Sequence, residues 1–412
     1  MTGLVSFELP SETMADKTVD NKIQEIFSNY LSKQSLFKNR EVLSTNFLPN
    51  IIIHRDSEIQ TVSSIIAPIL KGYKPSNLFI YGGIGCGKTV TIKYILEQLS
   101  KISNGNYKTV YINCKMKKVS DTEYRILSQL LKEFGLLVPE TGISTNILYK
   151  KFFECVDGQN IIIIFDEIDA LVNKIGDEFL YNISRSEQNI SIIGITNNIS
   201  FADRLDPRVK SSLVEEEIIF KPYNAQQLKD IITLRTAEAF DEDCLDESVI
   251  NKCAALAAQE HGDARRALEL IRVAGEITER LGETRIKEEH LDVANDRINT
   301  DKIVETIKSQ PRHSQMVLES IMSLKKASKG WQDTRILTGE IYRQYNNLCE
   351  KNTIKSLTQR RVCDLINEYE NIGIINTRTA SRGRHGKIRE VVLNIEDDML
   401  KKIDNILTKV AY

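Results

Sequence analysis

Leu78-Phe79-Ile80-Tyr81-Gly82-Gly83-Ile84-Gly85-Cys86-Gly87-Lys88-Thr89-Val90 is the stretch from which the rest of the chain is read. Leu78 to Tyr81 is a short apolar strand. Gly82 to Thr89 satisfies G-x-x-x-x-G-K-[ST], and a helix-forming run, Val90 to Leu99, follows. Strand, glycine loop and helix in that order make a phosphate cradle. Glycines let the backbone wrap so that its N–H groups face phosphate oxygens, and the helix N-terminus adds positive potential. The spacing assigns Gly82, Gly83, Ile84, Gly85, Cys86, Gly87, Lys88, Thr89 and Val90 to a nucleotide. Lys88 reaches its β and γ phosphates, and the Thr89 hydroxyl ligates Mg²⁺.

A second motif completes the first. Ile161-Ile162-Ile163-Ile164-Phe165-Asp166-Glu167 is an apolar strand ending in two carboxylates. Such a strand places them at the C-terminal edge of a parallel sheet, where ligands bind. Asp166 is expected in the Mg²⁺ shell, and Glu167 is expected to orient or deprotonate the attacking water. Asp169, two residues on, reads as a helix cap. Asn197, after the strand Ile190 to Thr196, can hydrogen-bond the γ phosphate or the water. Arg265, opening a helix in His261-Gly262-Asp263-Ala264-Arg265-Arg266, can swing onto the phosphates.

Working outward, strands at Leu78 to Tyr81, Thr109 to Asn113, Ile161 to Phe165, Ile190 to Thr196 and Glu217 to Phe220 alternate with helices. That alternation predicts an α/β fold with a parallel sheet covered on both faces. After Lys221-Pro222-Tyr223 the pattern becomes all-helical: Asn224 caps the first helix, and a short helix near Lys287 to Asn295 closes the segment. A third region from about Thr300 reads helix, helix, helix, hairpin. The expected division is an N-terminal extension at 1–40, an ATPase core at 41–221, a helical lid at 222–300 and a DNA-binding domain at 301–412.

Composition bounds the function. The 412 residues carry 55 basic and 57 acidic groups, a formal charge of −2, and are 41% hydrophobic, which excludes a disordered or collagen-like chain. No apolar run approaches the roughly 20 residues of a membrane span. The first twenty residues show no basic-then-apolar pattern, so no secretory leader is expected. Cysteines at 86, 114, 155, 244, 253, 349 and 363 form no CxxC pair and no zinc-finger spacing. They suit a reducing compartment and buried, thiol-bearing packing positions.

The near-zero charge divides unevenly. Residues 301–412 hold 20 Lys plus Arg and 14 Asp plus Glu, a net +6, which leaves −8 for the remainder. A helix from Ser356 to Tyr369 presents Lys355, Thr358, Gln359 and Arg361 near its start and buries Val362, Leu365, Ile366 and Tyr369. A recognition helix offers polar N-terminal residues to base edges in this way. Two β-prone runs then flank a basic tip. Arg378, Arg382, Gly383, Arg384, His385, Lys387 and Arg389 read as a wing able to enter a minor groove.

The loop GGIGCGKT, the strand IIIIFDEIDAL, the segment IGITNNISFADRLDPRVKSSLVEEEIIFKPY and the stretch GDARRALELIRVA resemble archaeal replication initiators. These are relatives of the largest origin recognition complex subunit and of the helicase loader. The resemblance runs from about residue 40 to the C-terminus. It implies an AAA+ P-loop ATPase core, an all-helical lid and a C-terminal winged helix. By the resemblance Asn197 is the first sensor and Arg265 the second. The segment Asp203 to Leu213 carries a trans-acting arginine, with Arg208 the candidate and Arg204 and Lys210 as near alternatives. His54 and Arg55 lie beside the adenine, and Tyr223 joins the nucleotide set. The helices from Thr122 to Tyr149 match an initiator insertion that contacts DNA, with Gly135 to Gly142 as a second contact. Asn198 departs from the family, whose members often have Asp there, as does the long polar N-terminus.

The resemblance also implies ATP or ADP with Mg²⁺ as cofactors and slow hydrolysis acting as a switch. Its partners would be double-stranded origin DNA, other initiator protomers or paralogues, and the replicative helicase, with no membrane and a cytoplasmic, nucleoid-associated location. A nucleotide-regulated transcription regulator or repressor shares these residues. A remodelling motor or clamp loader shares the ATPase motifs but not the basic wing. Lys88→Ala is expected to abolish ATP binding measured by calorimetry; unchanged affinity would remove Lys88 from the phosphate site.

Overall fold

The computed structural model describes residues 35–102, 105, 107–116, 119–139, 141–213, 216–327, 336–381 and 387–394, with Phe27, Leu400 and Ile403. Its contacts divide the chain into two compact units, Met1–Leu291 and Asp292–Tyr412. In the first unit the order is α1 (Asp56–Ile66), β1 (Leu78–Gly82), α2 (Lys88–Ile102), β2 (Tyr107–Asn113), α3 (Glu123–Glu133), α4 (Thr145–Val156) and β3 (Asn160–Asp166). There follow α5 (Ile168–Ile175), α6 (Glu178–Ser184), β4 (Ile190–Thr196), α7 (Pro207–Leu213) and β5 (Glu216–Phe220).

The five strands form one parallel sheet in the order β2-β3-β4-β1-β5. The interior strand β3 shows why the isoleucine run has no polar position. Ile161, Ile163 and Phe165 pack with α3 to α7, whereas Ile162 and Ile164 pack with α1 and α2. A strand buried on both faces needs apolar side chains at every step. Register fixes Ile163 beside Val110 of β2 and Ile192 of β4. The parallel arrangement brings the C-terminal ends of all five strands to one edge. That edge carries the loops after Gly82, Asp166 and Thr196.

The lid is α8 (Ala225–Ala239), α9 (Glu247–Gln259) and α10 (Ala264–Leu281). Asn224 caps α8 as expected, in a reciprocal box with Gln227. Asp263 caps α10, accepting from the amides of Arg265 and Arg266. The end of the polar extension is tied to this segment. Leu36 and Phe37 are buried, Phe37 stacks 4.6 Å from Phe240, and Arg40 pairs with Glu279. Residues 1–26 and 28–34 of the expected extension lie outside the described residues.

Next in the chain come α11 (Glu288–Ser309), α12 (Arg312–Ala327), β6 (Ile336–Leu337), α13 (Thr338–Lys351), α14 (Gln359–Asn371), β7 (Ile375–Ser381) and β8 (Lys387–Leu393). In the second unit the strands pair antiparallel in the order β6-β8-β7. Its core includes Met316, Ile321, Tyr345, Ile366, Tyr369 and Val391. Both buried phenols find partners. Tyr345 OH meets His313 Nδ1 at 2.7 Å and accepts from the Leu357 amide, and Tyr369 OH accepts from Ser314 Oγ at 3.0 Å. Burial pushes each phenol up to about 12.

Three elements differ from the sequence expectation. The short helix near Lys287 to Asn295 instead runs to Ser309, through the expected boundary at residue 300. No glycine or proline interrupts the chain until Pro311, whose ring disfavours helix just before it. One short helix was expected between β3 and β4, and there are two, separated at Gly176, which adopts φ 82°. The strand β6 is two residues long, too short to show alternation, and is held by Val391 and Glu390 of β8. All seven cysteines are free thiols; Cys86, Cys114, Cys244, Cys253 and Cys349 are buried. Ile163→Ala is expected to destabilise the first unit by about 2–5 kcal/mol, read from denaturant unfolding, because Ile163 is fully buried in the core and its truncation leaves a cavity.

Candidate nucleotide site and nucleic-acid interface

The phosphate loop is organised around a buried ammonium. Lys88, at the start of α2, turns its Nζ to the carbonyls of Gly82 and Gly83, at 2.9 and 2.7 Å, and to Asn197 Oδ1 at 2.7 Å. Desolvation lowers its pKa; the neighbouring Cys86, Glu167 and Asp166 act the other way. Asn197 in turn donates from Nδ2 to both carboxylate oxygens of Glu167, each at 3.0 Å. Glu167 itself holds a left-handed backbone, φ 56° and ψ 47°, strained for a residue with a Cβ. Three expected residues, Lys88, Glu167 and Asn197, are therefore one hydrogen-bonded unit at the sheet edge.

Asp166 lies beside it. Its Oδ2 accepts from Thr89 Oγ1 at 2.9 Å and from the Tyr111 hydroxyl at 2.6 Å. Burial and the Asp166 carboxylate push the Tyr111 phenol up. The carboxylate and the Thr89 hydroxyl fit Mg²⁺, a hard cation that is bound through one or two carboxylates with the remainder from phosphates and water. Among the described residues no cluster of three or more His, Cys, Asp or Glu could hold a metal by itself. Asp169, expected as a cap, accepts instead from Thr196 Oγ1 at 2.7 Å and so ties α5 to the end of β4.

A cavity of about 500 Å³ opens between the phosphate loop and the lid. Gly85, Gly87, Thr89, Val90, Asp166, Tyr223 and Arg265 are in its wall. Gly82, Gly83, Ile84, Cys86 and Lys88 are not. Two glycines are dictated by space as well as by φ. A Cβ on Gly85 (φ 70°) would fall 1.6 Å from Asp263 Oδ1, and one on Gly87 (φ 92°) 2.6 Å from the Tyr223 hydroxyl. The Ala264 amide donates to the Gly85 carbonyl at 3.2 Å, so the lid helix starts on the loop. Arg265 is the exposed arginine there; its neighbour Arg266 is buried against Glu260, at 3.1 Å.

His54 and Arg55 are not in the cavity wall, which the preceding residues 44–53 line. His54 Nε2 meets Asp230 Oδ2 of the lid at 2.8 Å. Arg55 is buried: it donates to the carbonyls of Cys86, at 2.8 and 3.1 Å, and Lys221, at 2.6 Å, and to Glu58 at 3.0 Å. Its guanidinium lies 4.0 Å from the Tyr223 ring centre. Arg55 is thus a clamp between the phosphate loop and the chain entering the lid. Its fork geometry reaches several acceptors at once.

Sequence reading missed much of the wall. Tyr111 and Asn113 end β2, next to β3, and the parallel sheet rule was the available signal. The segment 44–53 and the lid residues Ile231, Leu234, Arg235, Glu238 and Leu268 carried no motif. Arg208 is exposed, outside the cavity wall, and pairs with Asp206 at 3.1 Å. Lys210 pairs with Asp203 at 2.9 Å, and Arg204 is exposed.

In the second unit, Lys355, Thr358, Gln359 and Arg361 are exposed at the start of α14, opposite the buried Val362, Leu365, Ile366 and Tyr369. Thr358 is the helix cap and accepts from the Arg361 amide. Arg378 is exposed on β7. Arg389, expected on DNA, is committed elsewhere: Nη2 donates to Glu370 Oε2 at 2.7 Å and Thr377 Oγ1 at 2.9 Å. Hydrogen bonds from Thr377, with Arg389 beside them, hold the Glu370 carboxyl below its ordinary range. Arg382, Gly383, Arg384 and His385 lie outside the described residues, as does the side chain of Lys387.

Comparison with known proteins matches this geometry. Family models described as the CDC6 C-terminal winged helix domain, the Cdc6 AAA+ ATPase-type lid domain and an AAA domain match residues 305–403, 229–296 and 72–205. The chain is 44% identical over 398 residues to an ORC1-type DNA replication protein of Thermococcus kodakarensis, spanning 93% of this chain and 94% of that one. It is 44% identical over 399 residues to ORC1-type DNA replication protein 1 of Sulfurisphaera tokodaii, spanning 94% and 98%. Its structure is similar to that of the Aeropyrum pernix ORC1 protein in complex with DNA, with a TM-score of 0.77 and 39% identity, over 92% of this chain and 98% of that one.

Glu167→Gln is expected to keep ATP binding while hydrolysis falls about 100-fold or more, the usual worth of a positioned proton acceptor. Calorimetry and phosphate release in parallel check it. Equal rates in variant and parent would exclude Glu167 from the chemistry.

Proposed function

The chain belongs to the ORC1-type family of DNA replication proteins, and on that premise we propose that it is an ATP-dependent initiator that binds duplex origin DNA and uses slow ATP hydrolysis as a switch. The observation that carries this reading is the Lys88–Asn197–Glu167 network, joined through the Glu167 amide to Asp166 and Thr89, the last two of which line a cavity beside the lid. The same chain carries a winged helix whose α14 exposes Lys355, Gln359 and Arg361.

In this reading the nucleotide lies along the cavity with its phosphates at Gly85 and Gly87. Mg²⁺ neutralises phosphate charge when bound, and Thr89 Oγ1 and Asp166 would hold it. Glu167 orients the attacking water, and Asn197 couples Glu167 to Lys88, the residue nearest the γ phosphate. Arg265 comes from the lid. Arg208, exposed and outside its own cavity wall, would serve the site of a neighbouring protomer, with Arg204 and Lys210 as near alternatives. Slow turnover follows from the design: Glu167 sits in a strained backbone with both oxygens occupied, and charge stabilisation waits for a second molecule.

The winged helix supplies the DNA contacts. Lys355, Thr358, Gln359 and Arg361 face the major groove, and Arg378, Arg382, Arg384 and Lys387 the backbone or minor groove. The insertion between Thr122 and Tyr149 is a further DNA contact. The expected partners are origin duplex, other initiator protomers and the replicative helicase, at the nucleoid. Among the described residues no helix is long and apolar enough to cross a membrane.

Arg382→Ala with Arg384→Ala is expected to weaken origin-duplex binding about tenfold and to flatten the slope of log affinity against log salt by about 2, one for each lost phosphate contact. Fluorescence anisotropy over a salt series measures both. An unchanged slope and affinity would take the wing off the DNA.

A further inference from the structure

The cavity wall is chemically mixed. Gly85, Gly87, Thr89, Asp166 and Arg265 form the end where phosphates belong. The wall also holds apolar side chains, Phe47, Ile53, Ile231, Leu234 and Leu268, beside the polar Ser44, Thr45, Asn46 and Asn50. Into this wall α8 brings a cation, Arg235. Its guanidinium carbon lies 4.8 Å from the centre of the Phe47 ring. Its Nη1 is sealed from solvent and has no hydrogen-bond partner. Glu238, one turn along the same helix, shares the wall. Burial pulls the guanidinium pKa down, and the Glu238 charge opposes that only in part.

A charged donor held under an aromatic ring without an acceptor is an unfavourable arrangement for the empty protein. The arrangement makes sense if the missing acceptor arrives with a ligand. Resting on the nucleotide reading above, we infer that Arg235 reads the nucleoside end of the bound nucleotide, donating to an acceptor on the base edge or ribose while Phe47 holds the guanidinium plane. The planar fork suits this task better than an ammonium, because a guanidinium beside Phe47 in the cavity wall keeps several N–H donors with which to meet a ligand. Arg235 is then a specificity contact, distinct from the phosphate-binding set and remote from the hydrolytic groups.

The test uses the full chain, with ATP, ADP and AMP binding measured by calorimetry alongside melting of the nucleotide-free protein. Arg235→Met should weaken all three nucleotides by one common factor of about 10 to 100, the worth of a charge-assisted hydrogen bond. It should leave the nucleotide-free melting temperature unchanged or higher, because a buried orphan donor has gone. Arg235→Lys, which keeps charge and bulk, guards against a folding defect and should also bind all three less tightly than the parent.

Parental affinity in both variants would overturn the inference. So would a loss that disappears with AMP, which would make Arg235 a phosphate contact. A lowered nucleotide-free melting temperature with unchanged affinity would make it a packing residue. If the nucleotide reading itself is wrong, the parent chain binds none of the three, a result separate from all of these.

Discussion

The ammonium of Lys88 is the point on which the ATPase unit turns. A cation taken out of water must find oxygens, and Lys88 finds the carbonyls of Gly82 and Gly83 and the amide oxygen of Asn197. Those groups come from the loop after β1 and the tip of β4. Through Asn197 the contact continues to Glu167 at the tip of β3. Strand order places these three tips side by side, so one charge draws these residues into one cluster. A glycine loop, the Glu167 carboxylate and the Asn197 amide, far apart in sequence, thus share a single electrostatic constraint.

The lid is joined to that constraint through the backbone of the phosphate loop. Arg55 bridges the Cys86 carbonyl to that of Lys221, where the chain leaves β5 for the lid. The Ala264 amide meets the Gly85 carbonyl, and Asp263 lies so close that Gly85 can carry no side chain. His54 reaches Asp230 on α8. Two of these contacts end on phosphate-loop carbonyls, so loop and lid are physically joined. This gives a nucleotide-dependent initiator a mechanical basis within one unit.

Much of this was legible in the residues themselves. Ile161 to Ile164 announced a strand buried on both faces, because only a covered parallel strand tolerates an unbroken apolar run. The glycine loop announced its own neighbours, because strand, loop and helix work only in that order. Other contacts carried no local signal. Glu370, nineteen positions from Arg389, pairs with it across the sheet and helix. Arg55 is buried among the carbonyls of the phosphate loop and the chain entering the lid. Tyr111, Arg235 and Phe47 were invisible, because a cavity wall assembled from distant segments leaves no periodic signal.

The sequence by itself determined the class of the protein: an AAA+ core, a helical lid and a winged helix, with Lys88, Thr89, Asp166 and Glu167 gathered at one edge of the sheet. These follow from local chemistry, since backbone cradles, apolar strands and helix caps are written in neighbouring residues. Only the tertiary structure decided which charges are free to act and which are spent on one another. Arg265 and Arg55 are both arginines near the loop, yet one is exposed at the cavity and the other is buried among carbonyls. Their difference lies in what packs against them, and packing between segments hundreds of residues apart depends on geometry that no local pattern encodes.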